Sequence, residues 1–365
     1  MKLQCITEKL KQAVQMADRM TGKNLSLPAL QAVLLIASGK SVKVRSTNLS
    51  LGIEIEIPAT VEKEGVVLVK GDVLASVCNN LSVDQKVTLS IDGENLAIET
   101  EKTKTVIKCL PNEEFPTLPV VEGESFEIKS ETLQEGIRSV YFCAATSEIK
   151  PEIASIFIYS EQDTLVFVAT DSFRLAEKKI KQKHIVEISK ILIPYKNISD
   201  ILRVLEVFSD TVRVSFSKNQ LSLSGGGVYF TTRLIDGAFP DYRIILPKEE
   251  KTKIVVIKQE LLSTLRLSTV FADKFFQVLF SVISKEKKVY IDSKNTDVGS
   301  SKSAIDAVIQ GNDIEVSCNL RYFLDVFQAL SDDSVVISFT EATKPILIKG
   351  VQDVSFMYLL MPTNR

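Results

Sequence analysis

The stretch "VVLVKGDVLASVCNNLSVDQKVTLSIDGENLAIET", residues 66–100, decides the fold because its pattern occurs again later in the chain. It predicts a strand, a helix, a strand, a turn and a further strand, in that order. The helix is amphipathic, and its apolar residues fall on one face at helical spacing: Val73, Leu74, Val77, Cys78 and Leu81. A pattern of this length that recurs at a fixed interval indicates a fold built from repeated units.

Two later segments have the same order of elements: "ILIPYKNISDILRVLEVFSDTVRVSFSKNQLSLSG", residues 191–225, and "IEVSCNLRYFLDVFQALSDDSVVISFTEATKPILIKG", residues 314–350. Their helices carry equivalent apolar stripes, formed by Ile198, Ile201, Leu202 and Leu205 in one and by Phe323, Val326, Phe327 and Leu330 in the other. We expect Asp72, Asn197 and Asn319 to be the N-caps of the three helices. The starts at residues 66, 191 and 314 are almost evenly spaced, which predicts a threefold repeat.

A second helix precedes each of these segments. "LQCITEKLKQAVQMADRM", "FEIKSETLQEGIRSVYF" and "IVVIKQELLSTLRLSTVF", which begin at residues 3, 126 and 254, each predict a short strand followed by a helix. Phe-Pro pairs near residues 115 and 239 end the strands before them, because proline cannot continue a ladder. We therefore predict an α+β fold of three repeated domains, residues 1–120, 121–250 and 251–365, each with two helices and two antiparallel sheets.

The composition is that of an ordinary soluble globular protein, with 45% hydrophobic and 25% charged residues among 365. No apolar stretch has the length needed to cross a bilayer, and the charged start "MKLQCITEKL" argues against export. The five cysteines are scattered and odd in number, which favours reduced thiols over a disulfide framework. We expect a cytoplasmic protein without a membrane partner.

The turn in "FVATDSFRLA", residues 167–176, raises the possibility of catalysis because Asp171 and Arg174 flank an exposed Ser-Phe pair. The chain has a single histidine, His184, and it stands among lysines, so schemes that need a histidine base lack support. The cysteines and the histidine show no metal-ligand spacing. We predict no catalytic residues, no metal and no cofactor.

Three classes of function remain open at this point: an enzyme with Asp171 and Arg174 in its site, a repeat scaffold that binds proteins but no DNA, and a non-catalytic protein that handles DNA. A protein that holds nucleic acid by ion pairing is normally basic, whereas the formal net charge here is −2. Any DNA binding must therefore depend on something other than strong electrostatic attraction.

The threefold repeat carries three further motifs in a fixed order: "ATDSFRLA" at 169–176, "FPDYRIILP" at 239–247 and the terminal "YLLMP" at 358–362. Together they resemble the bacterial sliding clamps, the β subunits of DNA polymerase III, along the whole chain. The resemblance implies three DNA-clamp domains that form half of a six-domain ring. Two chains would join head to tail around duplex DNA, without catalytic activity of their own.

The resemblance also implies a cleft that binds short peptides from partner proteins. These partners are the DNA polymerase III α subunit, the clamp loader, translesion and repair polymerases, and mismatch-repair proteins. The positions that match the cleft are mostly apolar, as expected for a peptide-anchor pocket. They are Ile153, Thr170, Ser172, Phe173, Arg174, Leu175, Pro240, Ile244, Ile245, Phe275, Asn319, Tyr322, Thr343, Pro345, Leu359, Leu360, Met361 and Pro362.

For DNA, the resemblance implies contacts at Asn24, Ser147 and Lys196, without sequence preference. For the dimer, it implies that the strand near Lys104 and Val106 meets the segment near Val270 and Phe271 of a second copy. Because the ring encloses the DNA, a near-neutral chain is compatible with this function.

Overall fold

A computed structural model of the chain describes residues 1–22, 27–82, 85–111, 115–182, 188 and 190–363. The chain divides into two compact units. The first unit consists of Met1–Leu133 and Asn197–Leu234, and the second consists of Gln134–Lys196 and Ile235–Arg365. The predicted domain boundaries at residues 120 and 250 stay predictions.

The first repeat begins with a strand that leads directly into a helix, as predicted. Its strands are β1 (Lys2–Ile6), β2 (Ala32–Ser38), β3 (Ser41–Thr47), β4 (Leu51–Lys63), β5 (Gly65–Lys70), β6 (Lys86–Asp92), β7 (Asn95–Glu99) and β8 (Lys104–Leu110). Its helices are α1 (Thr7–Arg19) and α2 (Gly71–Asn79), with a 3-10 turn at Pro28–Gln31. Leu10, Val14 and Ala17 form the buried face of α1, so the 3.6-residue period does identify the core side of the helix.

The central and third repeats follow the same plan. The central strands are β9 (Glu124–Lys129), β10 (Ser155–Glu161), β11 (Thr164–Thr170), β12 (Arg174–Lys181), β13 (Ile191–Pro194), β14 (Thr211–Phe216), β15 (Gln220–Gly225) and β16 (Val228–Arg233), with helices α3 (Ser130–Val140) and α4 (Ile198–Leu205). The third-repeat strands are β17 (Thr252–Ile257), β18 (Gln277–Ile283), β19 (Lys288–Asn295), β20 (Gly299–Asp306), β21 (Val308–Gly311), β22 (Ile314–Asn319), β23 (Ser334–Phe339), β24 (Ile346–Gly350) and β25 (Phe356–Leu360), with helices α5 (Lys258–Val270) and α6 (Leu320–Asp325). Short 3-10 turns lie at Tyr141–Cys143, Tyr195–Asn197, Tyr242–Ile245 and Val326–Gln328.

The three predicted N-caps have different outcomes. Asn319 caps α6, since its Oδ1 accepts hydrogen bonds from the backbone N–H groups of Arg321 and Tyr322. Asn197 stands at the N-cap of α4, but its side-chain amide donates to Thr232 Oγ1 at 2.9 Å instead. The prediction for Asp72 is wrong: α2 begins at Gly71, and Asp72 lies within its first turn.

In the first unit, strands of two repeats form one antiparallel sheet. Its order is β1-β6-β7-β8-β5-β2-β3-β4-β16-β15-β14-β9, with a further pairing of β1 with β4. The join between repeats is β4 with β16, where Ile53 faces Phe230 and both side chains are fully buried. The predicted sheets of neighbouring repeats are therefore continuous, because each covers the other's edge strand.

The second unit repeats this arrangement with a nine-stranded sheet of order β13-β10-β11-β12-β25-β24-β23-β17-β21 and a four-stranded sheet of order β20-β19-β18-β22. Here the join is β12 with β25, in the register Arg174 to Leu360 and Leu175 to Leu359. This pairing places the terminal "YLLMP" motif next to "ATDSFRLA", because the two motifs lie on adjacent strands of one sheet.

Candidate functional site

The turn between β11 and β12 is held by its own side chains. Thr170 Oγ1 donates to the carbonyl of Arg174 at 2.7 Å, and Asp171 Oδ1 accepts from the N–H groups of Phe173 and Arg174 at 2.9 and 3.0 Å. Ser172 has φ 77°, in the left-handed region that few non-glycine residues adopt. The result is a tight turn that leaves the Phe173 side chain 60% exposed.

Arg174 joins this turn to helix α6. Its Nε donates to Asp171 Oδ2 at 2.9 Å, and its Nη1 donates to Asp325 Oδ2. The guanidinium lies 4.4 Å from the ring centroid of Tyr322, a cation–π distance. Burial lowers the pKa of Arg174, but the hydrogen bond to Asp325 and the nearby charges outweigh it, so the pKa lies above its ordinary value. Asp171 and Arg174, the pair that suggested catalysis, are thus bound to each other.

The C-terminal segment completes this side of the site. After β25, the N–H of Met361 donates to the carbonyl of Phe173 at 2.8 Å. The rings of Phe173 and Tyr322 stack with their centroids 6.4 Å apart. Phe173, Tyr322 and Met361, which are distant in sequence, therefore lie next to one another.

Asn319 links Tyr322 to another exposed aromatic residue. Besides capping α6, it donates from Nδ2 to the carbonyl of Phe275 at 3.2 Å. The Phe275 side chain is 66% exposed. One asparagine thus fixes both the start of α6 and the loop that presents Phe275.

The 3-10 turn at Tyr242–Ile245 contributes two exposed isoleucines. Tyr242 is buried in a core cluster that includes Leu175 and Leu359, and its hydroxyl donates to Glu177 and lies 2.8 Å from the Tyr159 hydroxyl. Because Tyr242 is anchored, Ile244 is held at the surface with 77% of its side chain exposed, and Ile245 is exposed beside it. We use the name anchor surface for the exposed or half-buried apolar residues that the sequence assigned to the cleft, which are Phe173, Ile244, Ile245, Phe275, Tyr322 and Met361.

Other predicted cleft residues occupy different positions. Leu175, Leu359 and Leu360 are almost completely buried. Because Leu359 and Leu360 are consecutive in β25, their side chains point to opposite faces of the sheet, and both faces are covered at this position. Thr170 is also buried. The remaining members are partly or fully exposed: Ile153, Ser172, Pro240, Thr343, Pro345 and Pro362. Pro345 directly precedes Ile346, which pairs with Leu360, so it lies beside the C-terminal segment.

The predicted DNA contacts are placed in part. Ser147 is exposed, and Lys196 forms an ion pair with the neighbouring Glu148 at 3.0 Å. Asn24 lies outside the described residues. The Lys196 charge is therefore partly balanced within the protein itself.

The predicted dimer segments both carry exposed apolar side chains. Val106 is 52% exposed on β8, and Val270 is 62% exposed at the end of α5, next to the partly buried Phe271. Along Lys104–Lys108, β8 pairs with β7, whereas β5 pairs with β8 at Cys109 and Leu110. Lys104 is exposed, and its hydrogen bond to Glu99 raises its pKa.

Comparison with known proteins decides the family. Three family models match in succession: the N-terminal domain of the DNA polymerase III beta subunit over residues 1–119, the central domain over 127–241 and the C-terminal domain over 243–364. The chain belongs to the DNA polymerase III beta subunit family. Its function is that of a DNA sliding clamp in replication, as the sequence motifs predicted.

Named relatives and solved structures agree with this family. The beta sliding clamps of Synechococcus elongatus and Bacillus subtilis are each 26% identical to the chain, over 99% and 100% of both chains. The crystal structure of the DNA polymerase III beta subunit from Thermotoga maritima has a TM-score of 0.93 at 26% identity and covers 100% of this chain and 99% of that one. The fold of three repeated clamp domains is thereby confirmed.

Sequence reasoning missed some of the residues that support the clamp's anchor surface. Asp325 binds Arg174, and Tyr358 donates from its hydroxyl to the carbonyl of Tyr322 at 2.6 Å. Asp325 lies three residues after Tyr322 on α6, so helical periodicity is the sequence signal that could have placed both residues on the same face. Nothing in the local sequence around Tyr358 indicates that its hydroxyl would reach α6.

In the described part of the chain, no group of three or more histidine, cysteine, aspartate or glutamate residues is arranged to hold a metal ion. None of the helices there is both long and apolar enough to cross a membrane.

Proposed function

We propose that this clamp is non-catalytic and that it acts in the cytoplasm as a head-to-tail homodimer closed around duplex DNA. In this proposal, partner proteins bind the anchor surface through short peptides with large apolar side chains. The partners are the DNA polymerase III α subunit, the clamp loader, translesion and repair polymerases, and mismatch-repair proteins.

The observation that carries the peptide proposal is the anchor surface itself. Its exposed aromatic and aliphatic side chains are fixed by buried groups beneath them, as Phe173 is by the Asp171 turn and Ile244 is by Tyr242. Exposed apolar groups on a rigid support are typical of binding surfaces. The buried Leu175, Leu359 and Leu360 would then support this surface from below.

The affinity expected of such a surface is modest. Burial of two large apolar side chains contributes roughly 3–6 kcal/mol, before the cost of ordering the peptide is subtracted. Met361 adds a flexible side chain that can adapt to different ligands. Weak, adaptable binding suits a clamp that exchanges partners during replication.

Head-to-tail closure is supported by residues 104–108 of β8, which pair with β7 on one side and, among the described residues, with no strand on the other. A strand edge with free N–H and C=O groups accepts another strand, and β20 offers such an edge as the outermost strand of its sheet. Val106 and Lys104 on β8 would then meet the Val270 and Phe271 region of a second copy. A contact between two different surfaces closes into a ring when its rotation divides the circle.

DNA would be held by enclosure in this proposal. Duplex DNA carries one negative charge per about 1.7 Å of its axis, so exposed cations are attracted to it without reading its sequence. Ser147 and Lys196 are the described candidates, with Asn24 as a third. Since Lys196 already pairs with Glu148, we expect a weak contact that permits sliding.

A double variant tests the binding surface. Phe173→Ala combined with Met361→Ala removes apolar area from the anchor surface but leaves the backbone hydrogen bond between these residues intact. We expect loss of binding to the DNA polymerase III α subunit in gel filtration, with the dimer unchanged in sedimentation velocity. Val354→Ala, an exposed valine in the turn before β25, is the matched control and should bind normally. Dissociation of the double variant into monomers, or unchanged α-subunit binding, would contradict the proposal.

A further inference from the structure

Two cations border the anchor surface at the start of α6. The Arg321 guanidinium carbon lies over the Phe276 ring, 3.4 Å from its centroid. The Lys274 ammonium lies 5.0 Å from the ring centroid of Phe275. Both cations thus lie against aromatic rings in the loop that presents Phe275.

The position of Arg321 is fixed by the same asparagine that orders the site. Asn319 Oδ1 accepts from the N–H of Arg321 at 2.9 Å, while Asn319 Nδ2 donates to the carbonyl of Phe275. Tyr322, which stacks on Phe173, is the next residue. Arg321 therefore precedes Tyr322 of the anchor surface in α6, and its guanidinium lies over Phe276, the residue that follows Phe275.

Within the described residues, neither Arg321 nor Lys274 forms an ion pair with a carboxylate. Asp273 is the acidic residue directly before Lys274, and its Oδ1 accepts hydrogen bonds from the N–H groups of Phe275 and Gln277. A stacked guanidinium keeps the N–H donors at its edge available, and these match the two oxygens of a carboxylate. The ring also holds the guanidinium in place, so little side-chain entropy is lost on binding.

We propose that Arg321, supported by Lys274, binds an aspartate or glutamate side chain next to the apolar anchors of a partner peptide. This clamp would then select peptides in which an acid flanks the anchor residues. The inference rests on the proposed peptide-binding function and adds charge selection to it.

The test uses two fluorescein-labelled peptides that share a central Leu-Phe and differ in the flanking residues, which are aspartates in one and asparagines in the other. Affinities are measured by fluorescence anisotropy with the full-length dimer. For the wild-type chain we expect about five- to tenfold tighter binding of the aspartate peptide at low salt, with the preference shrinking as ionic strength rises.

Arg321→Gln should remove most of that preference and leave the affinity for the asparagine peptide within about twofold. Lys285→Gln is the matched control, since Lys285 is exposed beyond the opposite end of β18 and the charge change is the same. The control should keep the full preference for the aspartate peptide.

The outcomes separate this inference from the function on which it rests. Equal binding of both peptides to the wild type would overturn charge selection while peptide binding stands. An equal loss of preference in Lys285→Gln would overturn the assignment of that selection to Arg321. Failure of both peptides to bind would overturn the peptide-binding function as well. Reduced affinity of Arg321→Gln for a single-stranded oligonucleotide, with the peptide preference intact, would assign Arg321 to nucleic acid instead.

Discussion

At the scale of single residues, Arg174 connects the β11–β12 turn to helix α6. It binds one carboxylate in its own turn and one on α6, and it lies against the Tyr322 ring. Its side chain is mostly buried, so removing it leaves Asp171 and Asp325 close together without a cation between them. In the sequence, the Asp171–Arg174 pair suggested catalysis, and the family resemblance placed Arg174 in the peptide cleft. A structural ion pair and a catalytic pair cannot be told apart by their sequence pattern alone.

We expect Arg174→Met to lower the free energy of unfolding by about 2 kcal/mol, because it leaves a partly buried carboxylate without its partner. Chemical denaturation at neutral pH measures the change. Arg213→Met removes an exposed arginine whose pair with Glu127 is in solvent, and it should cost less than about 1 kcal/mol. Equal losses in the two variants would contradict a structural role for Arg174.

The buried thiols of Cys5 and Cys78 predict how the stability of the folded protein depends on pH. Burial raises the pKa of Cys5 and of Cys78 from the ordinary value of 9.0 to about 12. Between pH 9 and 12 the folded state keeps these protons and the unfolded state loses them. The contribution of the protonated thiols to folding stability is therefore fully present below pH 9 and is lost as pH rises from 9 towards 12.

Stability should therefore fall above pH 9 by up to about 1.4 kcal/mol per pH unit for each thiol. Urea unfolding at several pH values measures the slope. The double variant Cys5→Ala with Cys78→Ala should show a shallower slope over this range. An unchanged slope would mean that these thiols do not contribute to the alkaline loss of stability.

At the scale of elements, sequence periodicity identified the helices and their buried faces but not how strands pair between repeats. An amphipathic helix carries its pattern locally, as α1 does, whereas the pairing of β4 with β16 depends on residues that are far apart in sequence. The same limit applies to the site. Family motifs supplied the positions of Leu175 and Leu360, but their burial became visible with the pairing of β12 and β25.

Helix α3 offers a test of close packing between elements. A methyl group at Gly136 would lie 2.4 Å from the Phe167 ring on β11, closer than side-chain atoms can approach. We expect Gly136→Ala to destabilise the protein by about 1–3 kcal/mol, although alanine favours helix formation. Thermal unfolding measures the loss, and Glu131→Ala on the exposed side of α3 should stay within about 0.5 kcal/mol. A stabilised Gly136→Ala variant would contradict this packing.

At the scale of the whole molecule, the threefold repeat was the strongest sequence signal, and the family comparison confirms it. The near-neutral charge of −2 is informative here, because a protein that depended on ion pairs to hold DNA would be expected to be basic. In the proposed function, enclosure would let such a chain stay on DNA and still move along it. The proposed ring needs a second copy, whose position no pattern within one chain specifies.

The most direct measurement follows the protein on circular DNA before and after the circle is cut. The protein is loaded onto a nicked plasmid with a clamp loader, free protein is removed by gel filtration, and the plasmid is then linearised with a restriction enzyme. A ring held by enclosure remains with the intact circle and slides off the linear molecule. Equal retention on both DNA forms, or equal loss from both, would contradict enclosure as the means by which this clamp holds DNA.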